Sequence, residues 1–251
     1  MLEQFNGQVQ FDCFGMLYAE LSAALLRWDR AKGERVIRQG VEEYAREKGT
    51  QLRLRQVEGG MGIHLQNLFA AQPCCGSDKR FDRLSRRDEK QAQLMEVHSC
   101  PLAELWAARD GSFAGSLYCE EYAHGLMKGY TDGVGQANVS NALTYPRDHC
   151  CVLSFYYRLA NMTPRQQEEF AQEGTAVCEP HVWENMLGLY RGLLRAVERQ
   201  GAEASEALRQ GLDAFLEGLH REFPQQKGRM DPDVDLDGVV EEMRAAFGQQ
   251  E

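Results

Sequence analysis

From Phe14 to Trp28 the apolar residues return every three or four positions, through Leu17, Leu21 and Leu25 with Tyr18 and Ala24 beside them. That spacing lines one side of a helix and predicts an amphipathic helix over 12–30. A second helix is predicted over 32–48, with Val36, Ile37, Val41 and Tyr44 inward and Gly49 as its stop. Gly59, Gly60 and Gly62 interrupt the pattern, and 63–71 reads as a short helix. The period then shortens to two. Residues 80–86 and 91–98 read as strands joined by an Arg87-Asp88-Glu89 turn, and 137–143 and 150–158 as a hairpin around Tyr145-Pro146-Arg147-Asp148. In the last strand Cys151, Leu153, Phe155 and Tyr157 alternate with Cys150, Val152, Ser154 and Tyr156, so the two sets face opposite sides.

Between the hairpins, Pro101 opens a short helix through Trp106, since proline suits a first helical turn. Gly111 and Gly115 bracket a loop, and Ser116–Lys128 reads as a helix ended by Gly129. Beyond Thr163, whose hydroxyl before Pro164 is a good cap, helices are predicted over 163–172, 180–200, 204–223 and 237–247. The expected class is α+β: N-terminal helices and a small antiparallel sheet of hairpins with packed helices, followed by a helical C-terminal segment. The boundary is expected near residue 160, separating a thiol-rich core, 1–160, from a helical extension, 161–251.

Charge and composition narrow the functions. The net charge of −10 is poorly suited to a phosphate backbone, which needs clustered cations. The densest basic run, Lys79 to Arg87, is flanked and interrupted by Asp78, Asp82 and Asp88 and reads as a solvated strand or hairpin face, so no nucleic-acid partner is expected. No basic start followed by an apolar run is present, and no stretch approaches eighteen apolar residues. The expectation is a cytoplasmic chain with no membrane partner. Its eight cysteines then belong to a reducing compartment, where thiols are more often buried, catalytic or metal-bound than paired.

No C-x-x-C knuckle occurs, and the vicinal pairs Cys74-Cys75 and Cys150-Cys151 point apart if they lie in strands, so no metal and no cofactor is expected. Asp233-x-Asp235-x-Asp237-Gly238 opens like a calcium loop, but Arg244 stands where a bidentate Glu is required, and helix capping accounts for the carboxylates. Cys100 directly precedes Pro101, where it is placed to cap the helix, and a helix start favours an anionic thiolate. The plainer alternative is a small buried hydrophobe. His98 shares the strand face of Cys100 if the strand persists that far. Cys119 and His124, five residues apart on one helix, are separated by about 140° around its axis and do not share a face.

Taken in order, these segments resemble the L-2-amino-thiazoline-4-carboxylic acid hydrolase family over roughly 15–158. The resemblance is carried by the spacing of Gly33, Gly40, Ala45 and Gly49, then by Cys100-Pro101-Leu102 with Trp106, Tyr118-Cys119-Glu120, Gly129-Tyr130, and a hairpin bearing Asp148 and Cys151. It implies hydrolytic opening of a small thiazoline-type ring toward carbamoyl-cysteine. Under it Cys100 is the expected nucleophile, Cys119 a second thiol, His98 or His124 the proton carrier and Asp148 an orienting group. Trp106, Tyr118, Tyr122 and Cys151 are the expected substrate contacts. The chain departs from the family pattern at Tyr122, Arg147 and Val152. Those departures suit the competing reading, a non-catalytic small-molecule-binding or sensor domain on the same scaffold, weakly similar to vinyl-reductase-type ligand-binding domains. The C-terminal helices lie outside the resemblance and are assigned to lid formation or to assembly as a homo-oligomer.

Overall fold

The computed structural model describes residues 2–70, 78–174 and 182–222. Helices α1 (Leu2–Trp28), α2 (Arg30–Glu58) and α3 (Leu65–Ala70) precede the strands β1 (Asp82–Asp88) and β2 (Ala92–Ser99). Then come α4 (Pro101–Ala107), α5 (Ser112–Tyr130), β3 (Gln136–Asn141) and β4 (Cys151–Tyr156). Helices α6 (Pro164–Phe170), α7 (Val182–Glu198) and α8 (Ala202–Glu222) follow. The fold is α+β. The four strands form one antiparallel sheet in the order β1-β2-β4-β3, with Val97 opposite Cys151 and Met95 opposite Leu153. The helix read over 237–247 and the carboxylates at Asp233, Asp235 and Asp237 lie outside the described residues.

Helix α1 is buried around most of its girth. Cys13, Met16, Ala19 and Ser22, off the expected stripe, are as hidden as Leu17 and Leu21. Small and sulfur-bearing side chains let neighbours close on every side, so the one-sided helix predicted here becomes a central one. Helices α7 and α8 are among those neighbours. Tyr190, Leu193, Leu212 and Phe215 join the same apolar cluster as Leu17, Ile37 and Trp106, so the stripes of the C-terminal helices are buried within the chain. Thr163 caps α6 by a reciprocal bond with Gln166, as its position before Pro164 predicts.

Three glycines expected to break helices instead sit inside them. Helix α2 runs past Gly49 to Glu58, α5 begins before Gly115, and Gly129 lies within its last turn. The reason is close approach. A methyl group at Gly49 would overlap the carbonyl oxygen of Leu126, and one at Gly129 would overlap that of Arg46. At Gly125 the added carbon would lie 2.5 Å from the Glu42 oxygen. Helices α2 and α5 therefore cross backbone against backbone.

Glu120 and Glu121 strap the same crossing. Arg38 of α2 donates to Glu120 at 2.9 Å and to Glu121 at 2.7 Å, and Tyr145 donates to Glu120 from the β3–β4 loop. The first hairpin also turns later than predicted. Glu89 and Ala92 exchange backbone hydrogen bonds, leaving Lys90-Gln91 as a two-residue loop of the kind that matches strand twist.

Alanine at Gly49 raises the intrinsic helix preference of α2 by about 1 kcal/mol. The overlap with Leu126 opposes that gain by forcing α5 outward, a repacking cost of about 1–3 kcal/mol. Urea denaturation of Gly49→Ala is expected to show a net loss of stability. A gain would mean that the helices do not touch there.

Candidate functional site

The sheet and the crossed helices leave a cavity of about 210 Å³ between them. Its floor comes from alternate residues of two paired strands, Met95 and Val97 of β2 and Cys151, Leu153 and Phe155 of β4. Their shared face follows from the two-residue period of a strand. Arg83, opposite Val97 on β1, adds a cation to that face. Phe14 of α1, Tyr44 and Lys48 of α2, Trp106 of α4, and Tyr118, Cys119 and Tyr122 of α5 close the other sides. The apolar wall is made mostly of rings. Tyr118 stacks on Tyr122 with centroids 5.3 Å apart and meets Trp106 edge-on at 5.4 Å. Trp106 is fixed by its indole N–H, which donates to the carbonyl of Gly15 at 3.0 Å.

Cys100, Cys119 and Cys151 all line this one cavity. Cys100 ends the loop after β2 and is the N-cap residue of α4, half-buried, with no side-chain capping bond. The expected hydrogen-bonded cap is therefore not made. Cys119 keeps accessible surface where it borders the cavity. Burial pushes its thiol well above the ordinary value, and negative charge on Cys100, Cys151 or Glu120 adds to the effect. Cys151 is shifted the same way by burial, partly countered by the Leu143 N–H, which donates to its sulfur at 3.3 Å. Among the described residues no three His, Cys, Asp or Glu side chains are grouped to hold a metal ion.

The histidines assigned as proton carriers do not reach the cavity. Strand β2 ends at Ser99, so His98 lies on the face opposite Val97, where it meets Glu96 at 3.3 Å with 42% of its side chain exposed. The alternation that was to unite His98 with Cys100 fails because the chain leaves the strand between them. His124 is exposed on α5 and pairs at 3.1 Å with the carbonyl oxygen of Ala137 on β3. Asp148 also stands outside the lining, one layer behind it. Its carboxylate accepts from the Ala142 N–H at 2.9 Å and fixes the loop whose next residue, Leu143, bonds Cys151. Trp106, Tyr118, Tyr122 and Cys151 do line the cavity.

Lys48, Arg83 and Asn185 were not anticipated. Lys48 lies over the Tyr122 ring at 5.4 Å, on the part of α2 beyond its expected core stripe. Arg83 belongs to the run read as a solvated face, and β1 is indeed exposed along its length. Asn185, on α7, reaches the cavity only through helix packing, and no local sequence signal marks it.

Fold and cavity thus define an α+β protein with a cavity bordered by three thiols between its sheet and its helices. Residues 8–150 match the family described as L-2-amino-thiazoline-4-carboxylic acid hydrolase, and the chain belongs to that family. The matched stretch contains Cys100, Cys119 and the aromatic wall of α5, stops one residue before Cys151, and excludes α7 and α8. No curated protein and no solved structure matches the chain. Among the described residues no helix is long and apolar enough to cross a membrane.

A raised thiol pKa means less thiolate at any given pH, and therefore slower alkylation. Cys119 and Cys151 are expected to react with iodoacetamide at pH 8 at least about tenfold more slowly than a free cysteine of pKa about 8.5. Mass-spectrometric mapping of the labelled residues across pH 7–10 checks this, and rapid labelling of both at pH 7 contradicts the burial described.

Proposed function

We propose that the chain is a hydrolase that opens the ring of a small thiazoline-type heterocycle, with Cys100 as nucleophile. The carrying observation is that three thiols distant in sequence border a single cavity in a member of this hydrolase family. In the proposed course, the Cys100 sulfur adds to the ring carbon between nitrogen and sulfur. The carbon–sulfur ring bond then breaks, and the departing sulfur takes a proton. Cys119, kept protonated by its burial, is the donor for that step. Water finally attacks the same carbon, one of its protons going to the former ring nitrogen and the other restoring Cys119, and Cys100 leaves as the thiolate. The start of α4, where backbone N–H groups favour an anion, supports Cys100 as the thiolate. Trp106, Tyr118 and Tyr122 form the wall against which a flat ring lies, Cys151 borders it, and Asp148 acts only by bracing the Cys151 loop.

A second reading, a non-catalytic ligand-binding domain, is favoured by a different observation. Among the described residues no histidine, aspartate or glutamate lines the cavity, and two of its three thiols are held neutral.

Ring opening and ligand binding should be measured together on the wild type, Cys100→Ala and Cys119→Ala. Loss of the nucleophile is expected to lower kcat by about a thousandfold or more with little change in affinity. Loss of the proton donor is expected to lower it about a hundredfold. Unchanged turnover in both variants removes thiol chemistry, and binding without turnover by the wild type selects the second reading.

A further inference from the structure

Four arginines stand between Arg80 and Arg87, and three of them are engaged. Arg80 holds Asp78 and Asp12, Arg86 holds Glu96 at 2.9 Å, and Arg87 holds Glu89 at 2.7 Å. Arg83 pairs with no carboxylate among the described residues, and it is the member of the run that lines the cavity. Its placement follows from the pleat. Arg83 is opposite Val97, and Val97 is opposite Cys151, so the three form one row across β1, β2 and β4 on the cavity face. The row spans two strand spacings of about 4.8 Å each. An arginine stem lies readily along apolar surface such as Val97 while its head stays hydrated. Cys100 follows Ser99, which is opposite Asp82, so the proposed nucleophile and the guanidinium share one end of the sheet.

An anion belongs at this edge and not deeper. No carboxylate lines the cavity among the described residues, and its inner wall is thiol, ring and hydrocarbon, where an anion loses its water without return. Strand β1 is exposed along its length, so an anion on Arg83 keeps part of its hydration. The other cation of the lining is differently placed. Lys48 lies over the Tyr122 ring at 5.4 Å, and the depression it shares with α7 is bordered by Glu47 and Glu184, whose charges oppose an anion. A guanidinium also presents two parallel N–H donors that match the two oxygens of a carboxylate, which an ammonium does not.

We propose that Arg83 is a specificity-determining residue of the cavity, binding the carboxylate of a small heterocyclic acid so that the ring lies over Val97 and its reacting carbon faces Cys100. The proposal rests on reading the cavity as the site of ring opening and names the group that orients the substrate there.

Calorimetric titration of the full chain with 2-amino-thiazoline-4-carboxylate and with its neutral carboxamide tests this on the wild type, Arg83→Ala and Arg86→Ala. Arg83→Ala is expected to weaken binding of the acid about tenfold and to leave the carboxamide within about twofold, which also reports that the variant is folded. Arg86→Ala removes the same charge from the same strand without touching the lining, and is expected to change neither ligand. Unchanged binding of the acid in Arg83→Ala overturns the proposal. So does an equal loss for acid and carboxamide, or a loss of the acid in Arg86→Ala as large as in Arg83→Ala. Turnover is scored separately. If the acid is held by Arg83 but never opened, the hydrolase reading fails and the role of Arg83 stands. If the acid is opened with a KM that Arg83→Ala leaves alone, the role of Arg83 fails and the hydrolase reading stands.

Discussion

Backbone contact between α2 and α5 is the constraint on which the cavity depends. Gly49, Gly125 and Gly129 let the helices approach until carbonyl oxygens occupy the space of missing side chains. Gly40 and Gly192 repeat the device between α2 and α7. At such separations each helix fixes the rotation of the other, because a turn of either about its axis brings a side chain into the contact. That rotation aims Tyr44 and Lys48 from one helix, and Cys119 and Tyr122 from the other, at the same volume. Arg38, bridging Glu120 and Glu121, adds directional bonds to a contact whose attraction is otherwise non-directional.

The same residues explain where the sequence could be read and where it misled. Alternation through Cys151, Leu153 and Phe155 announces a strand with one buried face, and that face became the cavity floor. Local periodicity is sufficient there because a strand's orientation follows from its own pleat. Glycine is ambiguous by comparison. Its backbone cost inside a helix makes Gly49 and Gly129 look like stops, and only the facing helix, far along the chain, reveals that its lack of a side chain is what matters. The histidines fail for a related reason. His98 has suitable chemistry near Cys100, but the strand ends between them and the two do not share a face. Asn185 belongs to a helix whose stripe reads as ordinary core, and long-range packing alone brings it to the cavity wall.

The cavity combines nucleophilic atoms with surroundings that suppress their ionisation. Desolvation holds Cys119 and Cys151 neutral, and neighbouring sulfurs make a second negative charge harder to form than a first. In such a place at most one thiolate is tolerated. The others then serve as weak donors and polarizable packing, which suits sulfur against aromatic rings. Among the described residues no imidazole or carboxylate lines the cavity, and the imidazoles of His98 and His124 face outward.

The cavity wall joins pieces of different standing. Lys48 comes from the part of the chain that carries the family match, and Asn185 from a helix beyond it. The border of the cavity is thus completed by a segment outside the family match. Substitution along α7 can therefore reshape one edge of the hollow while the walls supplied by α1, α4 and α5 stay as they are.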